Sequence, residues 1–317
     1  MIVVLTGGTG GAKFAEGLKQ VVRPDELTFI VNTGDDLLWW DLPVSPDLDS
    51  ITYALAGLLC RQRGWGLEGD TFDLLALKRS QGARTWFRVG DRDLATHRAR
   101  AQLLSAGLTL TQATKDLALR LGVVARILPM SDDRVETRLQ TPLGELSFEE
   151  YFVRERHQLP VSCVHFVGAA QARPAPGVLE AIETADAILL APSNPITSIG
   201  PILAVPGIRD ALRATTAPVI AVSPIVGGAA VSGPAAALME LQGFPATAGG
   251  VARAYFDFLD VLIADSRDAH ETEQIEALGI RAYVTNTIMA SLQDRAALAE
   301  FALEAVRQPA APREALP

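Results

Sequence analysis

Residues Ile2–Gly11 read IVVLTGGTGG, an apolar run that passes directly into a glycine-rich loop. The pattern of Ala12–Gln20 predicts a helix after the loop, and Leu27–Val31 predicts a second strand that ends at Asn32–Asp36. A strand, a glycine loop, a helix and a second strand in this order are typical of the start of a doubly wound α/β fold. We therefore predict a Rossmann-like, mostly parallel sheet with helices on both faces.

The second half of the chain repeats this rhythm of a short apolar strand followed by a loop of small residues. The predicted strands are Val164–Val167, Ala187–Leu190, Val219–Val222 and Val261–Ile263. Continuous apolar strands of this kind are typical of parallel sheets that are covered on both faces. We expect residues 1–46 and 160–305 to form the Rossmann-like core.

The middle of the chain has a different pattern. Three segments predict helices, namely Ser50–Leu59, Ala95–Ala106 and Leu110–Leu121. Two short strand candidates, Val135–Gln140 and Glu145–Ser147, flank a hairpin-like turn. We interpret residues 47–159 as an inserted, mainly helical subdomain that forms a lid or substrate-binding part. The end of the chain is rich in Pro and Ala, and residues 306–317 are predicted to form a flexible tail.

The composition excludes several classes of protein. Of the 317 residues, 49% are hydrophobic and 21% are charged, so the chain can bury a large core and is not disordered. A formal net charge of -9 argues against nucleic-acid binding, which needs a basic face. Prolines and glycines interrupt the apolar segments Ala187–Ile208 and Ala214–Met239, which favours buried strands and loops over membrane spans.

The cysteines and the start of the chain indicate a cytoplasmic protein. Cys60 and Cys163 are far apart and form neither a disulfide framework nor a zinc pattern. The first residues enter an apolar strand without the basic segment and cleavage site of a signal peptide. We expect reduced thiols and no membrane association.

The glycine loop predicts a phosphate-binding site. Gly7, Gly8, Gly10 and Gly11 would let the backbone approach a diphosphate closely, and the following helix N-terminus offers N–H groups. The loop lacks the third glycine of the dinucleotide fingerprint and the Gly-Lys pair of a P-loop. A tight turn without a ligand is therefore the alternative.

Acidic residues follow the second predicted strand. Asp35 and Asp36 could bind a ribose hydroxyl, as in a dehydrogenase, or could hold Mg²⁺ together with Asp47 and Asp49. An Asp near a helix start also stabilises the helix without any ligand. For Asp49 the spacing leaves helix capping and ligand binding equally open.

Two further segments have polar residues suited to ligand binding. The uncharged segment Pro192–Pro201 contains Ser193 and Asn194, which could donate hydrogen bonds to a nucleotide or phosphate where a strand ends. The segment Phe87–His97 combines two Arg, two Asp and a His, which suits either a phosphate or carboxylate clamp or a salt-bridged surface loop. His97 within it has the pattern of an ordinary surface histidine.

Six segments, taken in this order, resemble the 2-phospho-L-lactate transferase family of coenzyme F-420 biosynthesis. They are Gly7–Lys13, Asn32–Asp36, Ser45–Asp49, Gly90–His97, Leu128–Asp133 and Pro192–Ile202. The resemblance extends from Ile2 to about Leu303. Bacterial members of this family use donors derived from phosphoenolpyruvate.

The resemblance implies a reaction and a set of partners. A phospho-acid, either 2-phospholactate or phosphoenolpyruvate, would move from a guanosine-diphospho-linked donor to the hydroxyl of the deazaflavin Fo, and GMP would leave. Mg²⁺ is the cofactor that the family implies, and a homodimer is its expected assembly. The residues do not indicate which phospho-acid the donor carries.

The resemblance also assigns roles by position. Asp49 and Arg88 match deazaflavin-contacting positions, and Asp35 matches a metal position. The nucleotide and phosphate region would comprise Gly7, Gly8, Thr9, Gly10, Gly11, Ser193 and Asn194. We predict that Asp49 is also catalytic and accepts the proton of the acceptor hydroxyl.

Two alternative functions follow from the same fold. One is a nicotinamide- or flavin-dependent oxidoreductase, against which the imperfect glycine fingerprint counts. The other is a non-catalytic nucleotide-sensing protein, which would not need to keep both Ser45–Asp49 and Gly90–His97.

Overall fold

The computed structural model describes residues 1–307, in which strands and helices alternate along most of the chain. The strands are β1 (Ile2–Thr6), β2 (Leu27–Val31), β3 (Leu37–Trp39), β4 (Leu42–Val44), β5 (Arg126–Pro129), β6 (Glu136–Thr141), β7 (Gly144–Ser147), β8 (Cys163–Val167), β9 (Ala187–Leu190), β10 (Val219–Val222), β11 (Ile225–Val226), β12 (Ala229–Ala230), β13 (Val261–Asp265) and β14 (Arg281–Thr285). The helices are α1 (Gly8–Val21), α2 (Pro46–Ala56), α3 (Asp73–Ser80), α4 (Asp93–Ser105), α5 (Leu110–Arg120), α6 (Val178–Glu183), α7 (Gly200–Ala204), α8 (Ile208–Ala214), α9 (Ala235–Leu241), α10 (Ala248–Tyr255), α11 (Thr272–Glu276) and α12 (Leu292–Arg307). No helix within these residues is both long enough and apolar enough to cross a membrane.

Seven strands form one parallel sheet in the order β14-β13-β10-β9-β1-β2-β5. The chain builds this sheet outward from β1 to one edge and then outward from β9 to the other edge. The direction of winding therefore reverses between β1 and β9, as in a doubly wound fold. This topology confirms the predicted fold class. Ligands of such sheets bind outside the carboxyl ends of the strands at this reversal.

The core lies on both faces of the sheet, as the apolar strands predict. In β1, Val3 and Leu5 pack on the face covered by α6 to α10, and Val4 packs on the face covered by α1, α2 and α12. All three side chains have no exposed surface. Burying a Val or Leu side chain contributes about 1.5–3 kcal/mol to stability, so the alternating contacts of the strands hold the two helical layers together.

Strand β8 corrects the prediction for Val164–Val167. It does not join the parallel sheet but pairs antiparallel with β6, which in turn pairs with β7 as the predicted hairpin. Only Val164 of its five residues is buried, whereas β2 and β9 are buried throughout. A strand with a single buried residue suits an antiparallel sheet with one face open to solvent.

Strand β5 lies within the predicted insertion 47–159 but forms an edge of the parallel sheet, beside β2. It starts at an exposed Arg126 and ends at Pro129, so it lacks the apolar pattern of the central strands. Proline is tolerated at an edge because one side of the strand needs no N–H donor. The predicted limits 1–46, 47–159 and 160–305 otherwise stay a prediction.

The prediction of a flexible tail over residues 306–317 needs one correction. Helix α12 continues to Arg307, so residues 306–307 of the predicted tail are helical. Residues 308–317 lie outside the described part of the chain.

Candidate active site

A cavity of about 310 Å³ opens at the carboxyl ends of the strands, where the winding of the sheet reverses. The loops after β1, β2, β9, β10 and β14 line one part of it, and α2, α4 and the segment Phe148–Val153 line another. The predicted site residues that line it are Gly7, Gly8, Thr9, Gly10, Asp35, Asp49, Arg88, Ser193 and Asn194. The fold thus brings together residues that are up to 187 positions apart, counted from Gly7 to Asn194.

The glycine loop is held tightly against the loop that follows β9. Ser193 Oγ donates a hydrogen bond to the carbonyl oxygen of Gly7 over 2.7 Å. A Cβ atom at position 10 would clash with the carbonyl oxygen of Pro192. Gly11 is not part of the cavity wall, and a Cβ there would clash with Thr6. Gly10 and Gly11 are therefore needed for close packing, whether or not a ligand binds.

A carboxylate occupies the N-terminus of α1. The Gly8 N–H group donates to Asp47 Oδ1 over 2.7 Å. Asn32 Nδ2 donates to Asp47 Oδ2 over 3.0 Å and to Asp35 Oδ2 over 2.9 Å. A phosphate oxygen that binds to the Gly8 N–H group would have to replace Asp47.

Asp35, Asp47 and Glu149 are buried and Asp36 is half-buried at this end of the sheet, and we call these four acids the acidic cluster. Burial raises the pKa of Asp36 and of Glu149 to about 8, and that of Asp47 to about 6. Burial also raises the pKa of Asp35 well above its ordinary value, and the charges of Asp47 and Glu149 add to this effect. The cluster is therefore stabilised by protons or by a cation.

Asp35 and Asp47 are the residues best suited to hold a divalent cation. Asn32 fixes one oxygen of each, and Asp35 Oδ1 is buried without a hydrogen-bond partner. Within residues 1–307, no three or more His, Cys, Asp and Glu side chains gather into a complete metal site. Mg²⁺ typically binds one or two carboxylates and completes its shell with water and substrate phosphates. The residues fit Mg²⁺, and a metal ion at Asp35 stays a prediction.

Replacing Glu149 with glutamine is expected to stabilise the metal-free protein at alkaline pH. The pKa of Glu149 rises from 4.5 to about 8, mainly through burial, so the folded state binds its proton more tightly than the unfolded state does. The stability that this proton provides is lost as pH rises through about 8. We expect Glu149→Gln to be more stable than wild type by on the order of 4 kcal/mol at about pH 8.5, and by little at about pH 4.5, in urea unfolding.

Glu150→Gln is the matched control for this measurement. Burial opposes the shift, but the Ser147 N–H group and Arg154 outweigh it and lower the pKa of Glu150. Its replacement should therefore not stabilise the protein at alkaline pH. Equal stability of Glu149→Gln and wild type across the pH range would contradict a buried, neutral Glu149.

Asp49 does not cap a helix, because its side chain is engaged in a buried ion pair. It lies in the first turn of α2, where its own N–H group donates to the Ser45 carbonyl oxygen. Both terminal nitrogens of Arg100 donate to its carboxylate, Nη1 over 3.1 Å to Oδ2. His97 Nδ1 lies 3.5 Å from the same Oδ2 atom. His97 is 2% exposed, so its interpretation as a surface histidine is wrong.

Arg88 contributes an exposed cation to the cavity wall. Its guanidinium carbon lies 4.8 Å from the ring centroid of Phe72 and 5.9 Å from that of Trp65. The aromatic side chains that line the cavity are Tyr53, Trp65, Phe87, Phe148 and Phe152. A guanidinium beside aromatic faces can bind a flat ring and an anionic group at once.

Several cavity residues were missed from the sequence. They include Lys13, Tyr53, Trp65, Glu149, Phe152 and the segment Val231–Ala235. The sequence did contain a signal that the residues of α4 act together. Asp93, His97 and Arg100 are spaced four and three residues apart, which puts them on one face of a helix. The others reach the cavity only through the packing of distant segments.

Comparison with known proteins identifies close relatives along the whole chain. The family model of 2-phospho-L-lactate transferase CofD matches residues 2–307. A phosphoenolpyruvate transferase of Kitasatospora aureofaciens is 45% identical over 314 residues, which is 97% of this chain and 98% of the relative. A 2-phospho-L-lactate transferase of Methanosarcina acetivorans is 43% identical over 300 residues, which is 95% of this chain and 97% of the relative.

A solved structure shares the fold. The structure of a Bacillus halodurans protein of the UPF0052 family superposes with a TM-score of 0.66 and 19% identity, over 95% of this chain and 98% of that chain. At this level of identity the likeness concerns the fold alone.

Proposed function

Because the chain belongs to the 2-phospho-L-lactate transferase CofD family, we propose that it transfers 2-phospholactate or phosphoenolpyruvate from a guanosine-diphospho-linked donor to the hydroxyl of the deazaflavin Fo. GMP is the leaving group in this proposal. One observation carries it: the glycine loop and Ser193 line the same cavity as Asp49 and Arg88. Direct transfer between two substrates requires both to lie in one space with their reacting atoms in contact.

The donor's diphosphate would bind between the glycine loop and the loop after β9. Gly8 and Gly10 offer close backbone approach there, and Lys13 adds a positive side chain to the same wall. Asp35 and Asp47 would hold Mg²⁺, which supplies positive charge to the phosphates when bound. The release of Gly8 N–H from Asp47 would free that donor for a phosphate oxygen.

The acceptor would bind on the side of the cavity that the inserted segment provides. The aromatic side chains there suit a flat deazaflavin ring, and Arg88 suits its polar edge. Asp49 would accept the proton of the terminal hydroxyl as the new P–O bond forms. Group transfer of this kind depends on positioning and charge neutralisation, so it needs no covalent intermediate with the protein.

The oxidoreductase alternative keeps one of the two acids that could bind a ribose hydroxyl. Asp36 accepts a hydrogen bond from Ser45 Oγ over 2.7 Å and is not part of the cavity wall, whereas Asp35 lines the cavity. The nucleotide-sensing alternative has no specific observation in its favour, because both the Ser45–Asp49 and the Gly90–His97 segments contribute residues to the cavity.

The test of the proposal is a reaction of the purified protein with Fo, Mg²⁺ and each guanosine-linked donor in turn. We expect GMP and a product with the mass of Fo plus the phospho-acid from at least one donor. Omission of Fo is the control and should abolish GMP release. No GMP from either donor in the presence of Fo would overturn the proposal.

Replacing Arg88 with leucine is expected to weaken Fo binding by about 10- to 100-fold, because a hydrogen bond to a charged group is worth about 1.5–3 kcal/mol. Arg88→Lys should be intermediate, since lysine keeps the charge but loses the planar fork. Binding can be followed by the fluorescence of Fo on titration with protein. Arg92→Leu is the matched control, because Arg92 bonds to the Glu68 carbonyl oxygen and does not line the cavity. Equal Fo affinity of Arg88→Leu and Arg92→Leu would contradict the assignment.

A further inference from the structure

The segment after β9 brings two serines to the glycine loop, and they differ in whether the hydroxyl group is free. Ser193 Oγ gives its single hydrogen to the Gly7 carbonyl oxygen over 2.7 Å. Within residues 1–307, the Ser198 hydroxyl has no hydrogen-bond partner, although Ser198 is only 6% exposed and lines the cavity. Buried polar groups without a protein partner usually bind water or a ligand. Ser198 is therefore free to bind a ligand in the cavity.

Ser198 lies directly against the start of α1. A Cβ atom at position 7 would be only 3.0 Å from Ser198 Cβ, and one at position 8 would be 3.5 Å from Ser198 Oγ. The Gly8 N–H group donates to Asp47 Oδ1 at the same end of the cavity. The positive end of the α1 dipole favours an anion there. The Ser198 hydroxyl is thus placed beside the backbone donor that a phosphate would use.

A wide helical turn gives Ser198 this position. Residues Pro195–Ile199 form a single π-helical turn, in which the Asn194 carbonyl oxygen accepts from the N–H groups of Ser198 and Ile199, each over 3.0 Å. Asn194 Oδ1 also accepts from the Ile196 N–H group over 2.9 Å at the start of the turn. Turns of this kind are uncommon and often occur at functional sites. Backbone contacts and the Asn194 side chain therefore fix the turn without using the Ser198 hydroxyl.

The neighbouring Thr197 is less suited to bind a ligand. Its Oγ1 atom is also buried without a hydrogen-bond partner, but the residue is 0% exposed. A ligand in the cavity would reach Thr197 only if the turn moved, whereas Ser198 keeps some accessible surface.

The position of α2 indicates which phosphate of the donor would bind beside Ser198. A Cβ atom at position 7 would meet Asp47 Oδ2 as well as Ser198 Cβ, so Ser198 lies near the first turn of α2. The same turn carries Asp49, the proposed acceptor of the hydroxyl proton. The attacked phosphorus must be in contact with that hydroxyl. The phosphate nearest to α2 is therefore the transferred one.

We propose that Ser198 Oγ donates a hydrogen bond to an oxygen of the donor's transferred phosphate, beside the Gly8 N–H group that Asp47 releases. The inference rests on the proposed function. A hydrogen bond from a hydroxyl to an anionic oxygen is stronger than one between neutral groups. Ser198 keeps its proton and forms no covalent bond, so its role is to fix the position of the phosphate. Ser193 instead ties the glycine loop to the loop after β9.

Calorimetry with GDP and with GMP tests this inference on the full chain, in the presence of Mg²⁺ and without Fo. The β-phosphate of GDP stands in for the transferred phosphate, and GMP lacks it. Ser198→Ala is expected to weaken GDP binding by about 10- to 100-fold and GMP binding by less than about threefold. Urea unfolding should show little change in stability, because no hydrogen bond within the protein is lost.

Thr114→Val is the matched control. Thr114 Oγ1 is likewise buried without a partner, but Thr114 lies in α5 and does not line the cavity. Valine keeps the branched shape and removes only the hydroxyl, so the affinities for GDP and GMP should both be unchanged. Ser198→Cys should bind GDP with intermediate affinity, because a thiol is a weak donor.

The outcomes are distinguishable. Wild-type GDP affinity in Ser198→Ala overturns this inference and leaves the proposed function intact. An equal loss of affinity for GDP and GMP places the hydroxyl at the phosphate of GMP and also overturns it. If Ser198→Ala does not fold, Ser198→Cys decides: wild-type GDP affinity overturns the inference, and weaker GDP binding with unchanged GMP binding supports it. A wild type that does not bind GDP overturns the inference as well, whereas GMP release from a donor tests the proposed function separately.

Discussion

Asp49→Asn is expected to lower kcat by roughly 100-fold or more, because asparagine keeps the shape of the side chain but cannot take a proton. The same change is expected to destabilise the protein by about 3–5 kcal/mol, since it removes one partner of a buried ion pair. Arg100 would be left with a positive charge at a site that is 2% exposed. Both effects can be measured, by steady-state kinetics with saturating Fo and by urea unfolding.

A double variant separates the two effects. Asp49→Asn combined with Arg100→Gln removes both charges, so most of the lost stability should return. The lost kcat should not return, because no proton acceptor has been restored. If the double variant regains wild-type turnover together with its stability, Asp49 has a structural role only. Wild-type turnover of Asp49→Asn alone would also contradict the catalytic assignment.

Gly10→Ala is expected to weaken donor binding by at least about tenfold and to destabilise the protein by about 1–3 kcal/mol. The added Cβ would clash with the carbonyl oxygen of Pro192, so either the start of α1 or the loop after β9 must move. Both segments line the cavity, and the proposed diphosphate site lies between them. Donor affinity can be measured by calorimetry in the presence of Mg²⁺ and without Fo.

Gly17→Ala is the matched control on the same helix. Its Cβ would clash with the backbone carbonyl oxygen of Arg295 in α12, and Gly17 does not line the cavity. We expect a similar loss of stability in urea unfolding but an unchanged affinity for the donor. If both variants lose donor affinity equally, the loss comes from the helix as a whole, and the glycine loop is not the phosphate site.

The central part of the fold could be predicted because its signals are local. Strands β1, β2, β9, β10 and β13 are apolar along most of their length, and each ends in a loop of small or polar residues. Edge strands lack this signal: β14 begins with Arg281 and is only partly buried. Strand β8 was predicted but assigned to the wrong sheet, because an apolar run alone does not determine whether one face or both faces of a strand will be covered.

Residue patterns alone predicted the site only where its residues follow a strand, whereas Asp49 and Arg88 were assigned through the family resemblance. Asp47 and Asp49 show what the sequence could not predict. They are two residues apart in α2 but face different partners. Asp47 binds the Gly8 N–H group, whereas Asp49 binds Arg100 of α4. A spacing of two residues on a helix turns side chains to opposite sides, but the sequence does not indicate which neighbour packs on which side.

We propose that the acceptor hydroxyl attacks the phosphorus of the donor's phospho-acid directly within one cavity. The most direct measurement uses Fo whose terminal hydroxyl carries ¹⁸O, followed by mass spectrometry of both products. We predict that the label stays in the new phosphodiester and that GMP is unlabelled, because the hydroxyl oxygen forms the new bond. Labelled GMP, or a phosphodiester without the label, would contradict direct transfer.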